Sequence, residues 1–234
     1  MQLIEVLRAD DPLLAPTADL LATTFDDPDI VLGLDRMQEF LAAPSDRSFH
    51  VLCALRHHEV VGLSIFSYVP ASNCGFSEYI VVAPEQRGTG LGRALFDRRK
   101  SILDASAHAR GVDRCRGLFI ETDSASGPPP LKPDTSMDPL LRLRIFAHLG
   151  FKRVDVRYVQ PPLAPGKQAV EYLDLLFAPW TEDPHLGVPA RAVLDTVLPV
   201  WRGWAPHDYQ QHFARLSSAM TRECVPLHPL LTDD

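Results

Sequence analysis

The chain of 234 residues is 46% hydrophobic and 23% charged, which fits a soluble globular protein with one ample core. Its formal net charge of −7 argues against binding to nucleic acid through general electrostatic attraction. We expect a cytoplasmic protein without a membrane contact. Its four cysteines are scattered, its start has no basic or long apolar leader, and no apolar stretch reaches the length of a membrane span.

The first third of the chain predicts strands and helices in alternation. Apolar residues at mixed three- and four-residue spacing indicate helices, and β-branched apolar runs indicate strands. The polar segment 56–59 lies between two such runs and predicts a hairpin turn. The expected elements are a strand over 3–7, helices over 18–22 and 34–41, and strands over 48–55, 60–69 and 76–82.

A glycine-rich loop follows the strand over 76–82 and leads into a helix. Gly88, Gly90 and Gly92 alternate there, and the absence of Cβ atoms lets an anion approach the backbone. The start of a helix offers unpaired N–H groups and the positive end of its dipole. Arg87 and Arg93 add guanidinium groups suited to phosphate oxygens. The segment therefore predicts a phosphate-binding site.

Two other phosphate-binding loops fit this segment less well. A Walker A loop requires Lys and then Ser or Thr after its last glycine, whereas Arg93 and Ala94 follow Gly92. A dinucleotide fingerprint requires glycine at its sixth place, which is Arg93 or Leu95 here. A nucleotide-phosphate protein would bind ATP or NAD, and a turn of purely structural meaning also remains open.

The second half of the chain predicts further strands and helices around a long loop. Residues 124–137 contain Gly-Pro-Pro-Pro, which neither a helix nor a strand interior tolerates, so we expect a mobile loop that borders the candidate ligand site. Beyond residue 178, two amphipathic helices indicate a helical extension packed on the rest of the chain. The expected elements are helices over 91–109 and 139–149, strands over 117–121, 151–159 and 171–177, and helices over 190–198 and 209–220.

The run from Arg87 to Gly92 resembles the R-x-x-G-x-G signature of the GCN5-related N-acetyltransferases, the GNAT superfamily. Leu149-Gly150-Phe151 is similar to the L-G-F turn of the same family. The resemblance covers residues 1–178 and implies an α/β fold, with a mixed central sheet flanked by helices. Residues 179–234 would form the helical C-terminal extension.

The resemblance also implies how acetyl-CoA binds as the cosubstrate. The backbone of Val81 and Val82 would pair with pantetheine, and the Val82 N–H is the candidate oxyanion donor. Core packing is the alternative role for both valine side chains. The residues that would hold the pyrophosphate are Arg87, Gly88, Thr89, Gly90, Leu91, Gly92 and Arg93.

Two carboxylates are candidates to accept the proton of the attacking amine. The frame from Glu78 to Pro84 resembles the E-x-x-x-V-x-P frame of aminoglycoside 6′-type acetyltransferases, which implies that Glu78 approaches the amine. An exposed, edge-facing glutamate is the alternative. Glu121 ends the next predicted strand and competes with Glu78, and Asp123 is a third candidate.

The chain departs from the family at Phe146, where many members place a tyrosine that protonates the leaving thiolate. Tyr79 or Tyr158 would have to substitute, or the thiolate leaves without an acid. We expect acetyl transfer by direct attack of a primary amine on a small molecule or peptide. A catalytically silent acyl-CoA sensor is the alternative. The acceptor, the acyl length and the oligomeric state stay open.

Overall fold

The computed structural model describes residues 1–25, 27–43, 45–124, 137–163, 165–181, 187–205 and 208–231. Within these residues, eight strands form one sheet in the order β1-β2-β3-β4-β5-β7-β6-β10. The remaining two strands, β8 and β9, pair with each other. The strands are β1 Gln2–Val6, β2 Ser48–Arg56, β3 Glu59–Val69, β4 Cys74–Val82, β5 Gly117–Asp123, β6 Lys152–Val154, β7 Leu173–Pro179, β8 Val188–Pro189, β9 Cys224–Val225 and β10 Leu227–His228.

Helices cover both faces of the large sheet. On one face, buried side chains of α1, α2 and α5 pack against the sheet, and on the other those of α3 and α4 do so. The fold class is therefore confirmed as an α/β protein with a mixed central sheet flanked by helices. The helices are α1 Leu14–Thr24, α2 Leu34–Ala42, α3 Leu91–His108, α4 Pro139–His148, α5 Ala190–Trp204 and α6 Tyr209–Ala219.

The pairing of β4 with β5 is the parallel one in an otherwise antiparallel large sheet. It extends over three residue pairs and ends at Ser77 opposite Ile120, although both strands continue further. The carboxyl-terminal halves of β4 and β5 therefore separate, and a gap opens in the middle of the sheet.

Two sequence predictions differ from the structure in the second half of the chain. The predicted strand over 151–159 is wrong beyond Val154, because the Val156 N–H turns back to the Val154 carbonyl at 2.8 Å and ends the pairing. The extension contains the two predicted helices, but it also supplies β10, which pairs with β6 at the edge of the sheet. Short strands of two residues carry too little periodicity to be read from sequence.

Residues 125–136 of the predicted mobile loop lie outside the described residues. No helix in the described ranges is long and apolar enough to cross a membrane.

Candidate active site

The glycine loop gives α3 an open amino-terminal end. Gly88 and Gly90 have φ angles of 75° and 85°, a region that disfavours every residue with a Cβ atom. Gly90 is the N-cap of α3, and in the described part of the chain no side chain caps the helix there. A Cβ atom at either glycine would meet no atom of the described residues within 4 Å, so the described structure leaves the space in front of the first turn open. These N–H groups can receive an anion.

The other residues of the loop have different environments. Arg87 Nε donates to the Val82 carbonyl at 3.3 Å, and Arg93 Nε lies 3.0 Å from Asp97 Oδ1 on α3. The Thr89 hydroxyl donates to the Gln86 carbonyl at 2.7 Å and does not line the cleft described below. Leu91 lines that cleft but is almost fully buried in the core. Both arginines lie along its wall.

A β-bulge in β4 positions Glu78. Ile65 of β3 is opposite Tyr79 and Phe66 is opposite Ser77, so Glu78 is the extra residue in the ladder. The bulge breaks the alternation of side chains, and Glu78 lies on the α1 face of the sheet together with Tyr79. Glu78 is also the first residue of β4 beyond the pairing with β5.

The register of β4 decides which backbone groups face the gap. The Ala83 N–H donates to the Val61 carbonyl at 3.0 Å, which makes Gly62 and Val82 a non-hydrogen-bonded pair. The N–H and C=O of Val82 therefore point away from β3 and toward the gap. Val81 is opposite Leu63 as the next pair, so its backbone groups point toward β3. The two valines thus differ in what their backbone offers to a ligand.

Glu78 is held by a buried arginine. Arg47 Nη1 forms an ion pair with Glu78 Oε1, and the Ser67 hydroxyl donates to the same oxygen at 2.9 Å. The side chains of Glu78 and Arg47 are 1% and 2% exposed, which excludes the exposed, edge-facing alternative. Burial raises the pKa of Glu78, while the Arg47 charge and the Ser67 hydrogen bond oppose that rise. Among the described residues, Glu78 Oε2 has no hydrogen-bond partner.

Glu121 lies at the equivalent position on β5, directly after the last pairing with β4. Its Oε1 accepts a hydrogen bond from the Tyr158 hydroxyl, and its Oε2 accepts one from Gln160 Nε2 at 3.2 Å. Trp201 Nε1 donates to the Tyr158 oxygen at 3.1 Å. Burial, with a smaller contribution from the Glu78 charge, raises the pKa of Glu121 to about 8. Such a carboxyl group accepts and releases a proton near neutral pH.

Both tyrosines that are candidates for thiol protonation already donate their hydroxyl hydrogen to another group. The Tyr79 hydroxyl donates to the Ile30 carbonyl at 2.6 Å, and the Tyr158 hydroxyl donates to Glu121. Burial raises the pKa of both phenols well above the usual value. Phe146 lines the cleft and packs edge-on against Phe151, with ring centres 5.4 Å apart.

One cleft of 660 Å³ joins these groups. It extends from the glycine loop, past the gap between β4 and β5, to the carboxyl-terminal end of α5. Its described acidic lining residues are Glu78, Glu121 and Asp123 on the two strands. Its arginines lie on the loop, on the start of α3 and on α4, where Arg142 forms an ion pair with Asp123 at 2.6 Å. The polarity suits an anionic ligand at one end and a cationic ligand at the other.

Several residues of the site have no local signal in the sequence. Arg47 lies between α2 and β2, far from Glu78 along the chain, and Trp201 and Trp204 belong to α5. Trp204 lines the cleft, although the sequence assigned no role to the extension. The described residues contain no cluster of His, Cys, Asp and Glu suited to a metal ion.

Residues 14–125 match the model of the acetyltransferase (GNAT) family. This segment includes the glycine loop and both candidate carboxylates. The search of curated proteins gave no match to the chain.

Solved structures share the fold at low sequence identity. A Bacteroides thetaiotaomicron protein assigned to the GNAT family has a TM-score of 0.56 at 14% identity, over 93% of this chain and 97% of its own. The ribosomal-protein-S18-alanine N-acetyltransferase of Escherichia coli has a TM-score of 0.50 at 12% identity, over 78% and 96% of the two chains. A tandem GNAT protein from the clavulanic acid biosynthesis pathway has 0.51 at 22%, over 68% and 46%.

The family match and the shared fold agree with the resemblance between the glycine loop and the GNAT signature. Residues 14–125 are therefore similar to the GNAT acetyltransferase family, and the chain shares the fold of solved GNAT structures.

Proposed function

We propose that the protein transfers the acetyl group of acetyl-CoA to a primary amine of a small molecule or peptide, by direct attack inside the cleft. The observation that carries the proposal is the pair of buried carboxylates at the point where β4 and β5 separate. They open on the same cleft as the uncapped start of α3. A phosphate site and a proton acceptor are thus joined by one continuous space.

The glycine loop and the gap fit acetyl-CoA. The open space in front of Gly88 and Gly90 leaves the helix N–H groups free to receive the pyrophosphate. The Val82 N–H points into the gap and provides a donor for the acetyl oxygen or the pantetheine arm, and the Val82 carbonyl, which also accepts from Arg87 Nε, provides an acceptor. Acetyl-CoA supplies the activated acetyl group.

The reaction requires a group that removes a proton from the amine. The amine nitrogen bonds to the acetyl carbon, the carbon–sulfur bond breaks, and CoA leaves as its thiolate. Glu121 accepts the amine proton in this scheme. A pKa of about 8 suits an exchange with an ammonium group better than the pKa of an ordinary carboxylate does. No hydroxyl at Phe146 is needed, since a thiolate is a tolerable leaving group near neutral pH.

Glu78 has a different role in the proposal. Its ion pair with Arg47 holds the carboxylate in place and opposes the rise in its pKa that burial causes, so it is less available as a base than Glu121. Its second oxygen, Oε2, has no hydrogen-bond partner among the described residues, so it can accept a hydrogen bond from the acceptor amine and help to orient it beside Glu121. Glu121 is therefore the first candidate for proton transfer, and Glu78 is the first candidate for amine binding.

The test is CoA release from acetyl-CoA over a panel of amines, followed by mass analysis of the products. With an accepted amine, Glu121→Gln should lower kcat/KM by on the order of 10²–10⁴ at neutral pH and leave acetyl-CoA affinity nearly unchanged. Glu78→Gln should act mainly through KM for the amine. Glu59→Gln, at the exposed first residue of β3, is the matched control and should behave as the unchanged protein does.

The outcomes separate the alternatives. If Glu121→Gln has normal activity and Glu78→Gln is inactive, the roles proposed for the two glutamates have to be exchanged. Acetyl-CoA binding without CoA release for any amine would contradict the proposal and support a silent acyl-CoA sensor.

A further inference from the structure

The end of the cleft beside Glu78 and Glu121 has largely apolar and aromatic walls. The ring centres of Phe25 and Tyr79 are 5.9 Å apart, and Trp204 packs against Phe76, with ring centres 5.6 Å apart. We call this end the acceptor pocket, with walls from Phe25, Ile30, Tyr79, Leu173 and Trp204.

The walls of the acceptor pocket come from separate parts of the chain and are fixed in place. Tyr79 is tied to the segment after α1 by its hydrogen bond to the Ile30 carbonyl. Trp204 is 2% exposed and ends α5, and Leu173 begins β7. A preformed apolar wall favours a ligand with an apolar surface, because no polar group has to be desolvated against it.

The charged groups of the described residues in this part of the cleft allow one ammonium group. Glu78 is neutralised by Arg47, and Asp123 is paired with Arg142 at 2.6 Å. Among the described residues, Glu121 has neutral hydrogen-bond donors and no cationic partner. A second ammonium group of a ligand would lose its hydration without a free carboxylate to compensate it.

We propose that the acceptor carries a single primary amine on an apolar body of aromatic size, as in the arylalkylamines. The inference rests on the proposed function, since it names the class of amine that reacts at Glu121. Polyamines, amino sugars with several amino groups, and peptides fit this combination of walls and charges less well.

Initial rates with acetyl-CoA and single amines test the inference. The probes are 2-phenylethylamine and tryptamine as aromatic monoamines, propylamine as a small monoamine, spermidine and kanamycin as polycations, and a tripeptide with a free amino terminus. Burial of an aromatic ring should raise kcat/KM of the aromatic monoamines by about 10-fold or more over propylamine. Spermidine, kanamycin and the tripeptide should fall below the aromatic monoamines.

A variant of the wall links the preference to the acceptor pocket. Phe25→Ala should reduce kcat/KM for 2-phenylethylamine by a larger factor than kcat/KM for propylamine, whereas a folding defect would lower both by the same factor. Phe213 of α6 is half-buried and does not line the cleft, so Phe213→Ala is the matched control and should keep the ratio.

The outcomes distinguish this inference from the proposed function. A preference for spermidine, kanamycin or the tripeptide, or an unchanged ratio in Phe25→Ala, would overturn the inference while acetyl transfer to amines still holds. Failure of every amine to release CoA would overturn the proposed function itself.

Discussion

At the scale of single residues, two glutamates at equivalent positions have acquired different properties. Each glutamate comes directly after the last residue of its own strand in the β4–β5 pairing, Glu78 on β4 and Glu121 on β5. Arg47 places a full positive charge beside Glu78, whereas Tyr158 and Gln160 donate hydrogen bonds to Glu121 from neutral groups. Neutral donors compensate burial less than a guanidinium group does, so the pKa of Glu121 stays high.

Tyr158→Phe should raise the pKa of Glu121 further. The phenolic O–H stabilises the carboxylate form of Glu121, and its removal favours the protonated form. Glu121 is the base only when it is deprotonated, so kcat/KM should rise with pH through about 8 in the unchanged protein and at higher pH in the variant.

The pH profile of kcat/KM measures this, and Tyr68→Phe is its control. Tyr68 is also buried and also donates one hydrogen bond, to Asn73 Oδ1 at 2.9 Å, but it does not line the cleft. The groups that face Glu121 in the described structure are Glu78, Tyr79, Tyr158 and Gln160. An unmoved profile in Tyr158→Phe would show that another group sets it.

At the scale of elements, the site results from interruptions of regular structure. The bulge at Glu78 shifts two consecutive side chains to one face, and the short pairing with β5 leaves the Val82 backbone without a partner strand on the side of the gap. The left-handed glycines turn the chain so that α3 begins at the edge of the same gap. Regular strand and helix geometry would satisfy these backbone groups internally and leave nothing for a ligand.

Gly90→Ala should weaken acetyl-CoA binding beyond its cost in stability. At a φ of 85° an added Cβ atom costs about 1–2 kcal/mol, and here it would project into the open space before α3. Gly111 also has a positive φ, of 78°, with nothing within 4 Å of its ideal Cβ, and it lies after α3 outside the cleft lining.

Calorimetric titration with acetyl-CoA and urea denaturation of both variants test this. Gly90→Ala and Gly111→Ala should lose similar stability, but only Gly90→Ala should raise the Kd for acetyl-CoA, by on the order of tenfold. Equal affinities in the two variants would place the phosphate away from the helix start.

At the scale of the whole molecule, the extension and the matched domain share one core. Val197 and Trp201 of α5 belong to the same buried cluster as Phe76 of β4 and Phe119 of β5. Arg36 of α2 donates to the Gly203 carbonyl near the end of α5, and Arg202 pairs with Asp46. We therefore expect residues 179–234 to fold with the domain and not as a separate unit.

Truncation after Pro179 should abolish cooperative folding, because it would expose the cluster that α5 covers. Urea denaturation followed by circular dichroism measures this, and the point variant Trp201→Ala should lower the free energy of unfolding by about 3–5 kcal/mol. The half-buried Trp180 is the control, and Trp180→Ala should cost less. Two separate unfolding transitions in the full chain would contradict the shared core.

The sequence alone was sufficient for the features that depend on neighbouring residues. The glycine loop could be recognised from the sequence because the backbone after β4 needs positive φ angles at Gly88 and Gly90. Such angles favour glycine, so the residue type at each position indicates the conformation directly. The fold class and most elements followed from hydrophobic periodicity in the same way. The two-residue strands β8 to β10 were too short to carry such a pattern.

Only the tertiary structure decided how the two glutamates differ. Arg47 reaches Glu78 across 31 positions, Tyr158 reaches Glu121 across 37, and Trp201 reaches Tyr158 across 43. The bulge that turns Glu78 onto the α1 face depends on the register with β3, which no single strand encodes. The pKa of a buried carboxyl group is set by the groups that packing brings against it, and packing partners at such separations leave no periodic signal in the chain.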